Sequence, residues 1–77
     1  METIDDGWRE MAERVLHPNA GEVQRMEMRR AFYAGANTML ALIVLAVDGG
    51  EVAAETRIEA LHAEIKQFAI DIAKGRA

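Results

Sequence analysis

Few side chains in this sequence could do chemistry, and a Glu-x-x-His motif is the clearest of them. Glu59 and His62 sit three residues apart, a spacing that places both side chains on one face of a helix. In helical bundles, such a pair ligates a di-metal centre together with glutamates from facing helices. The segment expected opposite the motif, residues 36–39, carries no carboxylate. We therefore expect no metal ligands and no cofactor.

Residues that could support nucleophilic catalysis are equally few. The chain contains no cysteine and no serine, and its hydroxyl groups belong to three threonines and one tyrosine. His17 lies beside Pro18 in a connector, where we expect it to cap a helix end, and no neighbour in sequence would make it a general base. Gly49 and Gly50 are not followed by the Lys-Ser/Thr pair of a phosphate-binding loop. We expect no catalytic residues and no enzyme activity.

Length and charge limit the remaining classes. With 77 residues, the chain can form one domain (residues 1–77) with a small core, and without cysteines it has no disulfides to reinforce it. This makes oligomerisation the expected means of stabilisation. The net charge of −4 predicts no nucleic-acid binding. No basic segment followed by an apolar one precedes the first predicted helix, so we expect a cytoplasmic protein.

The pattern of apolar residues predicts an all-α fold with three helices, at about residues 4–16, 20–47 and 51–74. Thr3 and Asp6 form a near capping box at the first start, and Pro18 disfavours helix in the residue before it. Asn19 is the expected N-cap of the second helix. The Asp48-Gly49-Gly50 turn is short, so the second and third helices should form a long antiparallel hairpin, with the first as a short accessory helix.

The second half of the long helix has more apolar surface than its own chain can cover. Residues 31–47 contain no charged residue, and a helix that is apolar all round must be covered on all sides. The third helix can cover one side, and the first helix reaches only to about Ala34. We expect a homodimer in which two hairpins form a four-helix bundle. Its predicted interface residues are Met39, Leu40, Leu42, Ile43, Val44 and Val47. A monomer and a membrane span remain as alternatives; we predict no membrane contact.

The third helix has a regular apolar stripe. Apolar residues recur at spacings of four and three along it, with charged residues elsewhere, as in a coiled-coil seam. The stripe consists of Ala54, Ile58, Leu61, Ile65, Phe68 and Ile72.

One basic cluster stands out. Arg25, Arg29 and Arg30 lie on the second helix, and Trp8 and Tyr33 come near them if the first helix folds back. Because Trp, Tyr and Arg are the residues most enriched in binding hot spots, we predict that these five bind a partner. The simpler alternatives are a solvated face, with Arg25 and Arg30 paired to Glu22 and Glu27, and a Trp8 that fills the core.

The connector and the start of the long helix carry a wider pattern. Val15 to Ala20 contains the Pro18 connector, and Gln24 to Ala36 reads Gln-x-x-Glu-x-Arg-Arg-Ala-Phe-Tyr-Ala-Gly-Ala. This pattern resembles small helical proteins of bacteriophages and prophages whose function is unknown. The resemblance covers under a third of the chain and implies a phage accessory protein in a bacterial host cell.

From that context and the absence of catalytic residues, we expect a non-enzymatic protein that binds and inhibits a host protein, such as a host-defence factor, in the manner of anti-CRISPR proteins. Two alternatives from other classes remain open. One is a helical oligomer that sequesters nucleotides or other small ligands through Arg25, Arg29 and Arg30. The other is a structural or assembly component of the phage particle.

Overall fold

A computed structural model describes all residues from Met1 to Ala77 and contains three helices and no strand. The helices are α1 (Ile4–Val15), α2 (Glu22–Val47) and α3 (Glu51–Ala73), which together make the chain 79% helical. The all-α prediction is therefore confirmed. The chain divides into two compact units, Met1–Met39 and Leu40–Ala77, with the division inside α2. A single domain over the whole chain stays a prediction.

The first helix begins with the predicted capping box. The Asp6 backbone N–H donates to Thr3 Oγ1 at 3.0 Å, and the Asp6 carboxylate accepts from the Thr3 backbone N–H at 3.1 Å. The same carboxylate accepts from the Glu2 N–H at 3.1 Å. Backbone donors at a helix start have no partner within the helix, so these bonds define where α1 begins.

The connector between α1 and α2 differs from the sequence-based expectation. The helix ends at Val15, and Leu16, whose ψ of 132° is extended, is its C-cap in place of His17. His17 instead accepts the Asn19 N–H on Nδ1 at 3.0 Å and the Ala20 N–H on its carbonyl at 2.9 Å. Asn19 is thus held in a turn on His17 and is not the N-cap of α2. The first helical bond of α2 runs from the Arg25 N–H to the Gly21 carbonyl, so α2 starts later than expected.

The first unit has a core of its own. Trp8, Ala12 and Leu16 are buried along one face of α1. Half-buried side chains from the rest of the unit pack against them: Met11, Ala20, Met28, Phe32 and Tyr33. The Trp8 and Phe32 rings pack at a tilted angle with their centroids 5.9 Å apart, within the range of favourable aromatic contacts.

The second unit has almost no core. Only Ala46 and Leu61 are buried among residues Leu40–Ala77. At the turn between α2 and α3, the Gly50 N–H donates to the Val47 carbonyl at 2.9 Å, and the Gly50 carbonyl accepts the first bond of α3 from the Ala54 N–H. Gly50 has φ 100° and ψ 178°, a conformation that is open essentially only to glycine.

Two glycine substitutions should have opposite effects on stability. Gly35 lies inside α2, and a Cβ added there would meet no atom within 4 Å, so Gly35→Ala should raise the free energy of unfolding by about 0.5–1 kcal/mol. Gly50→Ala should lower it by about 1–3 kcal/mol, because alanine would be strained at this φ and ψ. Urea unfolding followed by circular dichroism measures both changes; a destabilised Gly35→Ala would mean that this position is packed closely in solution.

The α1 cap should weaken in acid. The backbone N–H groups of Glu2 and Thr3, with the Thr3 hydroxyl, lower the pKa of Asp6 below its ordinary value of 3.8 by stabilising the carboxylate. A lowered folded-state pKa means that the contribution is fully present above pH 3.8 and is lost as the pH falls through the folded-state value. Asp6→Asn should therefore flatten the dependence of the free energy of unfolding on pH in this acid range, as measured by urea unfolding at a series of pH values. An unchanged dependence would mean that the Asp6 carboxylate does not hold the cap in solution.

Candidate interaction surfaces

A basic surface on the first unit surrounds an open cavity of about 330 Å³. It consists of Met26, Arg29, Arg30 and Tyr33, all on α2. The spacing of these residues places Met26, Arg30 and Tyr33 at successive i,i+4 and i,i+3 positions, so they share one side of the helix. The cavity is therefore a feature of the helix surface itself and is bounded by two guanidinium groups, one phenol ring and one thioether.

Arg29 is held in place from two sides. One guanidinium nitrogen lies 3.5 Å from Asp5 Oδ1 across the contact between α1 and α2. The guanidinium carbon lies 5.1 Å from the centre of the Tyr33 ring, in cation–π range. Asp5 also pairs with Arg9 at 2.9 Å, so this one carboxylate lies between two arginines. Arg29 is more than half exposed, and each contact is worth at most about 1 kcal/mol there, but together they limit its orientation.

Arg30 has no such restraint. It forms neither an ion pair nor a side-chain hydrogen bond within the chain. The two ion pairs of the solvated-face alternative, Glu27 with Arg30 and Glu22 with Arg25, do not form. Exposed i,i+3 pairs on a helix contribute only about 0.2–0.5 kcal/mol, too little to fix two long side chains in one geometry.

The five residues predicted to bind a partner are not brought together. Arg25 lines a different cavity of about 390 Å³, with Trp8, Leu16 and Pro18 among its other residues. Trp8 itself is only 5% exposed and packs against Phe32, so it supports the core of the first unit. Arg29, Arg30 and Tyr33 remain together on the basic surface. Met26 joins them, and its i,i+4 spacing to Arg30 is the sequence signal that could have indicated this.

An apolar surface belongs to the second unit. It consists of two stripes, one on α2 (Leu40, Val44, Val47) and one on α3 (Ile58, Ile65, Phe68, Ile72), each following helical spacing. Every member is more than half exposed, from 51% for Val44 and Ile58 to 58% for Leu40 and Phe68. Of the other predicted interface residues, Met39, Leu42 and Ile43 are half-buried. Leu61 is the one large residue of the α3 stripe that is buried.

Other candidates from the sequence contribute to neither surface. Glu59 and His62 are exposed on α3, and no three His, Cys, Asp or Glu side chains come together as metal ligands. His17 is engaged in the connector turn.

By length and composition, α2 could cross a membrane. Its most apolar stretch of 18 residues has a mean hydropathy of 1.5, and 6% of that stretch is buried. A single helix that passes this test is weak evidence, since core helices of soluble proteins pass it as well.

No protein-family model, curated protein or solved structure matches this chain. What the chain does must therefore be inferred from its two surfaces.

Proposed function

We propose that this chain is a non-enzymatic, self-associating helical protein that acts by binding another protein. One observation carries the proposal: the two apolar stripes of the second unit lie in water in the single chain. Monomeric soluble proteins rarely expose contiguous apolar patches larger than about 300–600 Å², and larger ones mark interaction sites. A second copy of the chain is the occupant that is always available to cover such stripes.

The arrangement we propose is a four-helix bundle. In each chain, α2 and α3 would form an antiparallel hairpin, and two hairpins would place their α2 and α3 stripes in a shared core. Knobs-into-holes packing of residues at spacings of three and four supports such a bundle. The Met1–Met39 unit, which has its own core, would present the basic surface to the partner.

The partner we propose is a host protein in the bacterial cytoplasm. The support is the resemblance of Gln24 to Ala36 to small phage and prophage proteins, together with a surface of Arg, Tyr and Met, the residue types enriched in protein interfaces. On this proposal, the chain inhibits the host protein by occupying one of its surfaces, as an inhibitor of host defence would. No reaction is needed for that role, and no catalytic group enters the proposal.

The alternative with an observation in its favour is a membrane-bound form, because α2 is long and apolar enough to span a membrane. Two features favour self-association over it. The uncharged run, residues 31–47, is shorter than the roughly 20 residues that a span needs and contains Asn37 and Thr38. A span by α2 would also leave the α3 stripe uncovered. Fractionation separates the two forms, since a spanning chain stays with the membranes after a high-salt wash.

Self-association predicts a sharp effect of one charge. Phe68 is 58% exposed in the single chain, so Phe68→Glu should leave a monomer intact but place a carboxylate in the bundle core. Ala63→Glu adds the same charge on the opposite side of α3, where the helical spacing places no apolar stripe. In sedimentation equilibrium, we expect the wild type and Ala63→Glu to have the mass of a dimer and Phe68→Glu to have that of a monomer. A wild type that stays monomeric at submillimolar concentration contradicts the proposed assembly.

Partner binding predicts dependence on the basic surface. From a bacterial lysate, the tagged wild type should capture one protein in stoichiometric amount, and Arg29→Glu/Arg30→Glu should lose it. Lys66→Glu/Lys74→Glu makes the same change in net charge at two exposed positions, one in α3 and one directly after it. This control variant should still capture the protein. Equal loss with both double variants would mean that capture depends on net charge only, and no capture by the wild type would count against a host-protein target.

A further inference from the structure

We infer that the basic surface binds an acidic segment of the protein partner, with a carboxylate paired to Arg30 and an apolar side chain against Met26 and Tyr33. This inference rests on the proposed function as a protein-binding module and gives the chemistry of the segment that it recognises.

The two arginines of the surface differ in what they can still bind. Asp5 and the Tyr33 ring already engage Arg29, at 3.5 Å and 5.1 Å. Arg30 keeps all of its guanidinium donors free, because no carboxylate of the chain pairs with it. A guanidinium presents its donors in a planar fork that matches a carboxylate in two parallel hydrogen bonds. Arg30 is therefore the residue of this surface whose positive charge is not paired with a carboxylate.

The apolar part of the surface lies directly beside this charge. Met26 is exposed and one helical turn from Arg30, and Tyr33 borders the same cavity. A cavity of about 330 Å³ is at the small end of the range for ligand pockets, large enough for one or two side chains of a peptide. A thioether can adapt to side chains of different shape. The surface therefore fits an acidic residue next to an apolar one.

The surrounding charges favour a carboxylate over a polyphosphate. Asp5 lies against Arg29, Glu27 is on the same turns of α2, and the chain as a whole has a charge of −4. Nucleic acids and nucleoside triphosphates concentrate several negative charges and need several unpaired cations. One unpaired arginine, in a setting that is otherwise neutral to acidic, matches a single carboxylate.

Two matched peptides test the inference directly. A fluorescently labelled peptide with a single Glu-Leu pair among Gly and Ser residues (the Glu/Leu peptide) and its Gln/Leu counterpart are titrated with the full-length chain at low salt, and binding is followed by anisotropy. We expect the Glu/Leu peptide to bind more tightly and Arg30→Gln to weaken it about five- to tenfold, the loss of one charge-assisted contact. Lys66→Gln, with the same change in charge, should weaken it less than twofold.

Each other outcome overturns the inference. Equal binding of both peptides would make the contact purely apolar, and equal weakening by Arg30→Gln and Lys66→Gln would make it a non-specific effect of charge. Displacement of the peptide by inorganic triphosphate at lower concentration than by free Glu/Leu peptide would assign the site to phosphates. If the peptide does not bind while lysate capture still depends on Arg29 and Arg30, the proposed function stands and the acidic segment is wrong. If the peptide does not bind and lysate capture does not depend on Arg29 and Arg30, the proposal that this surface binds a partner is wrong as well.

Discussion

Exposure of the apolar stripes of the second unit to water is the physical constraint on which the proposed assembly depends. Each buried methylene group contributes about 0.8 kcal/mol, so a stripe of four large side chains left in water forgoes several kcal/mol. A domain has a net stability of only about 5–15 kcal/mol, so that loss is comparable to the whole. Only Ala46 and Leu61 are buried in the second unit, so on our proposal a second copy of the chain covers its stripes.

The first unit is the opposite case. It buries Trp8, Ala12 and Leu16 against α2 and caps α1 with Thr3 and Asp6, so its contacts lie within the unit. A surface held by such a unit is preorganised, and Arg29 shows how: one carboxylate of α1 and one ring of α2 restrict its orientation. Preorganised contacts lose less conformational entropy on binding. The proposal therefore places self-association on the second unit and partner binding on the first.

Sequence patterns predicted the helices well because their signals are local. The Thr3–Asp6 capping box and the Gly49-Gly50 turn each act over three or four residues, and both are present. The excess of apolar surface after residue 39 was also visible, since it depends only on composition and spacing. The grouping of the basic residues could not be predicted from the sequence, because it depends on which face of α2 is covered by α1. Arg25 faces the cavity beside Leu16, whereas Arg29 and Arg30 face another. Spacing also could not predict that Trp8 is buried, because a residue in an apolar stripe can pack in the core of its own chain or against a partner.

Amide hydrogen exchange at two chain concentrations tests the central claim most directly, because it follows the two units separately in one sample. If another copy of the chain completes the second unit, protection of α3 between Ile58 and Ile72 should rise strongly with concentration, whereas protection around Trp8 and Ala12 should not change. Equal and concentration-independent protection of both units would contradict the account, since it would mean that the second unit is stable by itself.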